Sequence, residues 1–245
     1  MTDARAALGL LTGITSPREI DDDILELSPG TPRAAHYDRI AFGYDALLGA
    51  TSYNRILWKT SPQRCRAFAH DVFHARTSGT HVELGCGSLL FTSHLYAEDR
   101  GRPIVLIDQS IEMLRRARRR VRSRAGAVPS HVVLARGDVR DLRVTHAGAT
   151  TVLAMHVLHV VDDASALLAA LASFARPTGS TIGLSSIFLA GGRGDVFLRM
   201  LHAAGELATP RARHEIERLV GARVPGRMNV DVEGSMAFVT VGRDT

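Results

Sequence analysis

Residues 81–91 read HVELGCGSLLF, and this stretch decides the fold of the chain. Val82 and Leu84 flank an acid as in a buried strand, and Gly85 and Gly87 follow directly. A strand that ends in glycines before a helix lets a ligand approach the backbone closely, because no Cβ stands in the way. In an open α/β sheet such a ligand lies beyond the carboxyl end of the strand, near the helix N-terminus.

Downstream of residue 80, short apolar runs alternate with longer segments that have helical periodicity. The predicted strands are 81–85, 103–108, 131–138, 150–156 and 180–187, and the predicted helices between them are 88–98, 110–124 and 163–175. This alternation indicates βαβ units and a mostly parallel sheet with helices on both faces. Residues 226–243 instead contain two strand-like runs that meet at Glu233 and Gly234, which predicts an antiparallel C-terminal hairpin.

The first eighty residues have a helical pattern. Ser16, Pro17 and Glu19 form a capping box that predicts a helix to about Leu27, and further helices are expected at 33–48, from about 52, and at 61–76. We therefore predict an N-terminal helical lid over 1–79. The main domain covers 80–245 and has a helical insertion at about 190–222.

Composition narrows the class of protein. The chain has 245 residues, of which 45% are hydrophobic, and it lacks an apolar run of the roughly 18 residues that a membrane span needs. Its start lacks the basic residues of a secretory signal, and Cys65 and Cys86 are not spaced as metal ligands. We expect a cytoplasmic protein with no metal site.

The net charge of +5 comes almost entirely from arginine, and the densest run is Arg115–Arg124. Such a run can dock nucleic acid, but here its members occur on several sides of a predicted helix. A solvated helix face is therefore the favoured interpretation, and a nucleic-acid partner is not expected.

The glycine pattern excludes two common nucleotide sites. A dinucleotide fingerprint requires a third glycine where Leu90 stands, and a P-loop requires a lysine that is missing here. The remaining pattern, E-x-G-x-G, resembles motif I of class I S-adenosylmethionine-dependent methyltransferases. The resemblance implies a Rossmann-like fold with a mostly parallel seven-stranded sheet, and S-adenosylmethionine as the cofactor.

Three further elements extend this resemblance. Asp108 ends the second strand about 20 residues after the glycines, where an acid can bind both ribose hydroxyls. By resemblance, Asp138 accepts a hydrogen bond from the adenine amino group, and Val139 meets the ring. VLAMHVLHVVDD (152–163) resembles the segment that follows the fourth strand of the family. Leu89 departs from the pattern, because it occupies the usual position of a third glycine.

Residues 36–48, HYDRIAFGYDALL, resemble the start of the ubiquinone/menaquinone C-methyltransferase group, in which a tyrosine contacts the carboxylate end of the cofactor. Tyr37 and Tyr44 are the matching positions, and amphipathic packing is the alternative role for both. The predicted cofactor-binding residues are therefore Tyr37, Tyr44, Glu83, Gly85, Cys86, Gly87, Asp108, Gln109, Met113, Gly137, Asp138, Val139, Met155 and His156.

Histidine suits a proton acceptor near neutral pH, so His156 and His159, which follow the fourth strand, are the candidate catalytic residues. A packing role is the alternative for both. The segment lacks the Asn/Asp-Pro-Pro-aromatic signature of amino-directed nucleic-acid methyltransferases, and neither cysteine lies where cytosine-carbon enzymes need one.

We therefore expect a methyltransferase that acts on carbon or oxygen of a small-molecule acceptor, which is aromatic, quinone-like or polyketide-type. Two alternatives stay open. One is a nucleic-acid or protein methyltransferase that docks through Arg115–Arg124, and the other is an inactive homologue that still binds the cofactor. The oligomeric state is not fixed, and a homodimer stays open.

Overall fold

The computed structural model describes residues 3–14, 16–28, 49–99, 102–142 and 144–244. Within these ranges the chain forms one nine-stranded sheet in the order β1-β2-β5-β4-β3-β6-β7-β9-β8. The strands are β1 (Arg18–Asp21), β2 (Ile24–Glu26), β3 (Thr80–Leu84), β4 (Ile104–Asp108), β5 (Val132–Arg136), β6 (Ala149–Met155), β7 (Ser180–Ile187), β8 (Arg227–Glu233) and β9 (Met236–Arg243).

The six strands β2 to β7 pair with one another in parallel. The pairs β1–β2, β7–β9 and β8–β9 are antiparallel. The mostly parallel sheet and the C-terminal hairpin at Glu233 and Gly234 are thereby confirmed. Gly234 has a φ of +60°, which suits glycine in this tight turn.

Helices cover both faces of the sheet. They are α1 (Ala4–Thr12), α2 (Thr51–Tyr53) with a π-helical continuation (Asn54–Trp58), α3 (Pro62–His74), α4 (Ser93–Glu98), α5 (Ile111–Ala125), α6 (Ala164–Phe174), α7 (Arg193–Ala203) and α8 (Arg213–Arg223). None of the described helices is long and apolar enough to cross a membrane. The helices α7 and α8 lie between β7 and β8, and their role as an insertion in the main domain stays a prediction.

Side chains along each strand point alternately to the two faces of the sheet, and a hydrophobic core forms on each face. Val82 and Leu84 of β3 pack with α1, α6 and α8 on one face. Leu106 of β4 packs with α3, α4 and α5 on the other face. Because successive side chains of a strand point to opposite faces, His81 and Glu83 lie on the second face, beside Tyr96 of α4.

The helix predicted from Ser16 to Leu27 is wrong. Residues 18–21 and 24–26 form the β1–β2 hairpin, and β2 pairs with the edge of β5, where Leu25 lies opposite Ala135. This pairing provides backbone hydrogen bonds that outweigh the local capping signal, so the sheet has nine strands instead of seven. The helix predicted at 33–48 lies outside the described residues, and the division into lid and main domain stays a prediction.

The arginine run has a different environment from the expected solvated face. Arg115 and Arg118 both donate to Asp21 in the hairpin, the latter at 2.8 Å, and Arg122 donates to Asp23 at 2.6 Å. Arg118 is only 13% exposed at its side chain. Several cations of the run therefore hold the N-terminal hairpin against α5.

Candidate functional site

A pocket that is partly open to solvent lies at the carboxyl edge of β3, β4, β5 and β6. This is the edge where parallel sheets of this class bind ligands. All the described residues that were predicted to bind the cofactor line it: Glu83, Gly85, Cys86, Gly87, Asp108, Gln109, Met113, Gly137, Asp138, Val139, Met155 and His156. Tyr37 and Tyr44 lie outside the described residues.

The two glycines after β3 lack a side chain for different physical reasons. Both have left-handed backbone, with φ of +66° at Gly85 and +53° at Gly87. A Cβ on Gly85 would lie 2.6 Å from Val157 Cγ2, so the protein's own packing requires glycine there. A Cβ on Gly87 would meet no protein atom within 4 Å, and Gly87 lines the pocket. The space beside Gly87 is therefore available to a ligand.

Leu89 keeps the backbone that a glycine would adopt. Its φ is +58°, a left-handed conformation that costs an ordinary residue about 1–2 kcal/mol. The leucine is 1% exposed, belongs to the core shared with α3, α4 and α5, and also borders the pocket. The loop thus retains its shape, and burial of the leucine side chain offsets the backbone strain.

Asp108 links the glycine loop to the start of α5. Its Oδ2 accepts from the Gly87 N–H at 2.7 Å, and its Oδ1 accepts from the Ser110 N–H at 2.9 Å. The Ser110 hydroxyl in turn caps α5 by accepting from the Met113 N–H. The carboxylate predicted to bind the ribose is therefore also a brace for the loop.

Asp138 follows β5, the strand beside β4, and lines the pocket. Both oxygens of its carboxylate accept from the Arg140 guanidinium, and this charged partner raises the pKa of Arg140. Arg140 also lines the pocket. An adenine amino group that bonds to Asp138 would share the carboxylate with this arginine, which the sequence analysis did not identify.

Glu83 is 2% exposed and belongs to a buried hydrogen-bond chain. The hydroxyls of Tyr96 and Thr92 donate to its Oε2 at 2.8 and 3.1 Å. His81 contacts the Tyr96 hydroxyl at 2.8 Å through Nε2, and its Nδ1 lies 2.7 Å from Thr151 Oγ1. Burial raises the pKa of Glu83 to about 8, so the acid is protonated at neutral pH.

His156 follows β6 on the pocket wall. Its φ is +59°, its N–H donates to Ser185 Oγ at 3.1 Å, and its ring packs 5.3 Å from the Phe91 ring. Nε2 lies 3.5 Å from Cys65 Sγ. Burial lowers the pKa of His156 to about 4, so the imidazole is neutral at physiological pH.

His159 lies behind His156, with 6.1 Å between the rings, and does not line the pocket. Its Nδ1 accepts from the Ile187 N–H at 3.3 Å. Burial lowers the pKa of His159 to about 3. This arrangement is that of a packing histidine, whereas His156 can reach a ligand.

Several apolar residues of the pocket wall were not predicted from the sequence: Leu90, Phe91, Val157, Val160 and Val161. They belong to apolar runs after Gly87 and around His159, but an apolar run alone does not show which residues face a cavity. Among the described residues, no group of three or more His, Cys, Asp or Glu side chains is arranged to hold a metal ion.

Residues 82–183 match the family model described as a methyltransferase domain. This stretch runs from β3 into β7 and contains the glycine loop, Asp108, Asp138 and His156. These residues form a methyltransferase domain, and the sheet around them has the Rossmann-like fold of class I S-adenosylmethionine-dependent methyltransferases. The pocket fits S-adenosylmethionine, because the open space beside Gly87 is flanked by carboxylates on two successive strands.

Solved structures of other methyltransferases share the fold. Geranyl diphosphate C-methyltransferase from Streptomyces coelicolor A3(2) is 15% identical, with 88% of this chain and 100% of that chain covered and a TM-score of 0.61. Magnesium protoporphyrin IX methyltransferase from Synechocystis PCC 6803 is 18% identical, with 86% and 98% covered and a TM-score of 0.62. A search of curated protein sequences gave no significant match.

Proposed function

We propose that this methyltransferase transfers the methyl group of S-adenosylmethionine to an oxygen or carbon of a small-molecule acceptor, which is aromatic, quinone-like or polyketide-type. The observation that carries the proposal is the apolar part of the pocket lining. Phe91, Val157, Val160 and Val161 line the pocket together with His156. Such a lining suits a compact apolar acceptor better than a charged polymer backbone.

The order of the strands supports a division of the pocket. Asp138 follows β5, Asp108 ends β4, Gly85 and Gly87 follow β3, and His156 follows β6. Adjacent strands lie about 4.8 Å apart, so this row spans about 14 Å. Asp138 and Asp108 would then hold the adenosine part of the cofactor on the β5–β4 side, and Gly87 and His156 would border its methyl-bearing end on the β3–β6 side.

The bound cofactor supplies a methyl group on a positive sulfur, which is already electrophilic. The protein's own residues then have to align the acceptor and exclude water. Phe91 and the three valines exclude water from the acceptor side, and the bare Gly87 lets the cofactor lie against the backbone. His156 contacts the acceptor in this proposal, and His159 supports the ring of His156.

Docking of nucleic acid through Arg115–Arg124 is less well supported. Asp21 and Asp23 already pair with Arg115, Arg118 and Arg122, so a phosphate backbone would compete with internal ion pairs. Ligand contact by Tyr37 or Tyr44, the cytoplasmic location and a homodimer stay predictions.

Two measurements test the proposal. Isothermal titration calorimetry with S-adenosylhomocysteine should show binding, and Asp108→Ala should weaken it by about 1–3 kcal/mol through loss of a charged hydrogen-bond partner. Tritium transfer from labelled S-adenosylmethionine should then reach members of a panel of phenols, quinols and enols. Transfer to RNA or protein with none to the panel would contradict the small-molecule proposal.

A further inference from the structure

The glycine loop, residues 85–89, contains a residue whose backbone is strained. Gly85, Gly87 and Leu89 have φ of +66°, +53° and +58°. Glycine adopts such left-handed backbone without penalty, whereas a residue with a Cβ is strained in it. Leu89 is therefore the position at which the loop would gain most from a change of backbone shape.

A flip of the peptide unit between Ser88 and Leu89 is the simplest change that relieves this strain. The flip reverses the directions of the Ser88 C=O and the Leu89 N–H and leaves both Cα atoms almost in place. The φ of Leu89 then moves from +58° to about −120°, which is ordinary extended backbone. The leucine side chain stays in the core during such a flip, so its burial alone does not fix the orientation of the peptide.

Both polar groups of this peptide unit have partners in the strained orientation. The Leu89 N–H donates to the Cys86 O at 3.1 Å, within the loop. The Ser88 C=O accepts from Nη1 of Arg120 at 2.7 Å, and Arg120 lies on α5. A flipped peptide would lose both hydrogen bonds. Because a hydrogen bond from a charged guanidinium is stronger than one between neutral groups, the contact from Arg120 is the stronger of the two.

The orientation of this peptide affects the pocket, because the peptide lies directly after Gly87. Gly87, Ser88 and Leu89 all line the pocket, whereas Arg120 is not part of its lining. The preceding N–H of the loop, that of Gly87, is held by Asp108 at 2.7 Å. Arg120 thus holds backbone of the pocket wall from the side of α5.

We propose that Arg120 is a positioning residue for the cofactor, which holds the Ser88–Leu89 peptide in place and allows a leucine where the family resemblance places a glycine. Burial anchors the leucine side chain, and Arg120 fixes the orientation of the peptide before it. The inference goes beyond the proposed function, because it concerns the cofactor-binding loop and does not depend on the acceptor. It also separates Arg120 from Arg115, Arg118 and Arg122, which hold the N-terminal hairpin.

Calorimetry of the full chain with S-adenosylhomocysteine tests this role. Arg120→Met removes the donor and should weaken binding about tenfold, because apparent affinity falls with the fraction of molecules whose loop is competent to bind. Arg120→Lys retains a charged donor and should bind within about threefold of the wild type. The control Arg119→Met removes the same charge from an exposed position of the same helix and should leave the affinity unchanged. Unchanged affinity in Arg120→Met, or an equal loss in Arg119→Met, would overturn the inference.

A double-mutant cycle with Leu89→Gly separates this role from a general loss of structure. Glycine is not strained in left-handed backbone, so the peptide between positions 88 and 89 then depends less on Arg120. Arg120→Met should weaken binding about tenfold in the wild type and less than about threefold in the Leu89→Gly background. A loss in the Leu89→Gly background that equals or exceeds the loss in the wild type would show that Arg120 does not act on the strained peptide.

Hydrogen exchange followed by nuclear magnetic resonance reads the same peptide without any cofactor. The Leu89 N–H is the probe, because a flip breaks its hydrogen bond to the Cys86 O. Its exchange should be about tenfold faster in Arg120→Met than in the wild type or Arg119→Met. Equal exchange rates in the three proteins would refute the hold on this peptide. Since the measurement uses neither cofactor nor acceptor, its outcome is distinguishable from failure of the proposed function.

Discussion

Gly87→Ala is the substitution that most directly tests how the cofactor lies against the glycine loop. A Cβ at this position meets no protein atom within 4 Å, so the protein itself has room for it. The space it enters is the space beside the loop that we assign to the cofactor. Gly87→Ala should therefore fold and should bind S-adenosylhomocysteine poorly.

The expected loss of cofactor affinity in Gly87→Ala follows from the distances around the Gly87 Cα. An atom in van der Waals contact with the Gly87 Cα lies about 3.5–4.0 Å away, and a new carbon about 1.5 Å from that Cα would overlap it. Forcing an extra methyl group into an occupied space costs about 1–3 kcal/mol, and the middle of this range corresponds to affinity about 30-fold weaker.

The cost to folding should be smaller. With φ at +53°, alanine pays about 1–2 kcal/mol for left-handed backbone, and reduced freedom of the unfolded chain offsets about 0.4–1 kcal/mol of it. The net loss of about 1 kcal/mol lowers the melting temperature by about 2–4 °C in a domain of this size.

Two controls accompany the assay, which combines calorimetry with S-adenosylhomocysteine and thermal melting. Gly179→Ala is matched for backbone and space, with φ of +67° and no atom within 4 Å of the new Cβ, but lies at the start of β7, away from the pocket. It should lose similar stability and no affinity. Gly85→Ala, whose Cβ lies 2.6 Å from Val157 Cγ2, should lose more stability than either. Unchanged affinity in Gly87→Ala would refute the placement of the cofactor.

Three other substitutions test the surroundings of the pocket. Leu89→Gly relieves strained backbone but empties part of the core, so urea unfolding should show a loss of about 2–4 kcal/mol, with affinity for S-adenosylhomocysteine nearly unchanged. Asp21→Asn removes the anion whose pKa is lowered from 3.8 to about 2 by Arg115 and Arg118. The wild type should be more stable near neutral pH, and the difference should shrink as the pH falls through about 2, because a lowered pKa gives stability only while the acid is ionised. Glu83→Gln replaces an acid whose pKa is raised from 4.5 to about 8. As the pH rises between these two values, the stability of the wild type relative to this variant should fall, and above about 8 it should level off.

Each of these predictions has a clear opposite outcome. Tighter cofactor binding in Leu89→Gly would mean that the leucine obstructs the pocket. A constant stability difference between the wild type and Asp21→Asn down to acid pH would mean that the arginines do not hold the hairpin through this carboxylate. A pH-independent difference for Glu83→Gln would show that Glu83 does not change protonation on folding.

Local sequence patterns predicted the centre of the molecule well. The strands after residue 80 are each bounded by turn or capping residues, and Ser110 caps its helix through Met113 N as the sequence suggests. The N-terminal hairpin could not be predicted in this way. Residues 18–26 are strands because β5 has a free edge and α5 carries arginines that pair with the turn, and neither partner is near them in sequence.

Some residues of the site can likewise be predicted from the sequence, and others are seen only in the structure. Gly87 and Asp108 are found from the sequence, because a strand end followed by a helix start has a short-range signature and the carboxyl ends of parallel strands meet at one edge. Asp138, which also lines the pocket, was expected from the family resemblance. The Arg140 pairing with Asp138 is also local, but a charge two residues away has no signature that separates a partner from a solvated side chain.

The sequence by itself determined the alternation of strands and helices, the class of the sheet and the bare turn after β3, because these depend on residue types within a few positions of one another. Only the tertiary structure decided that residues 18–26 extend the sheet, that the arginine run pairs with aspartates and that Cys65 meets His156. Contacts between distant segments are set by how two cores pack on one sheet, and side-chain packing of that kind leaves no period in the sequence.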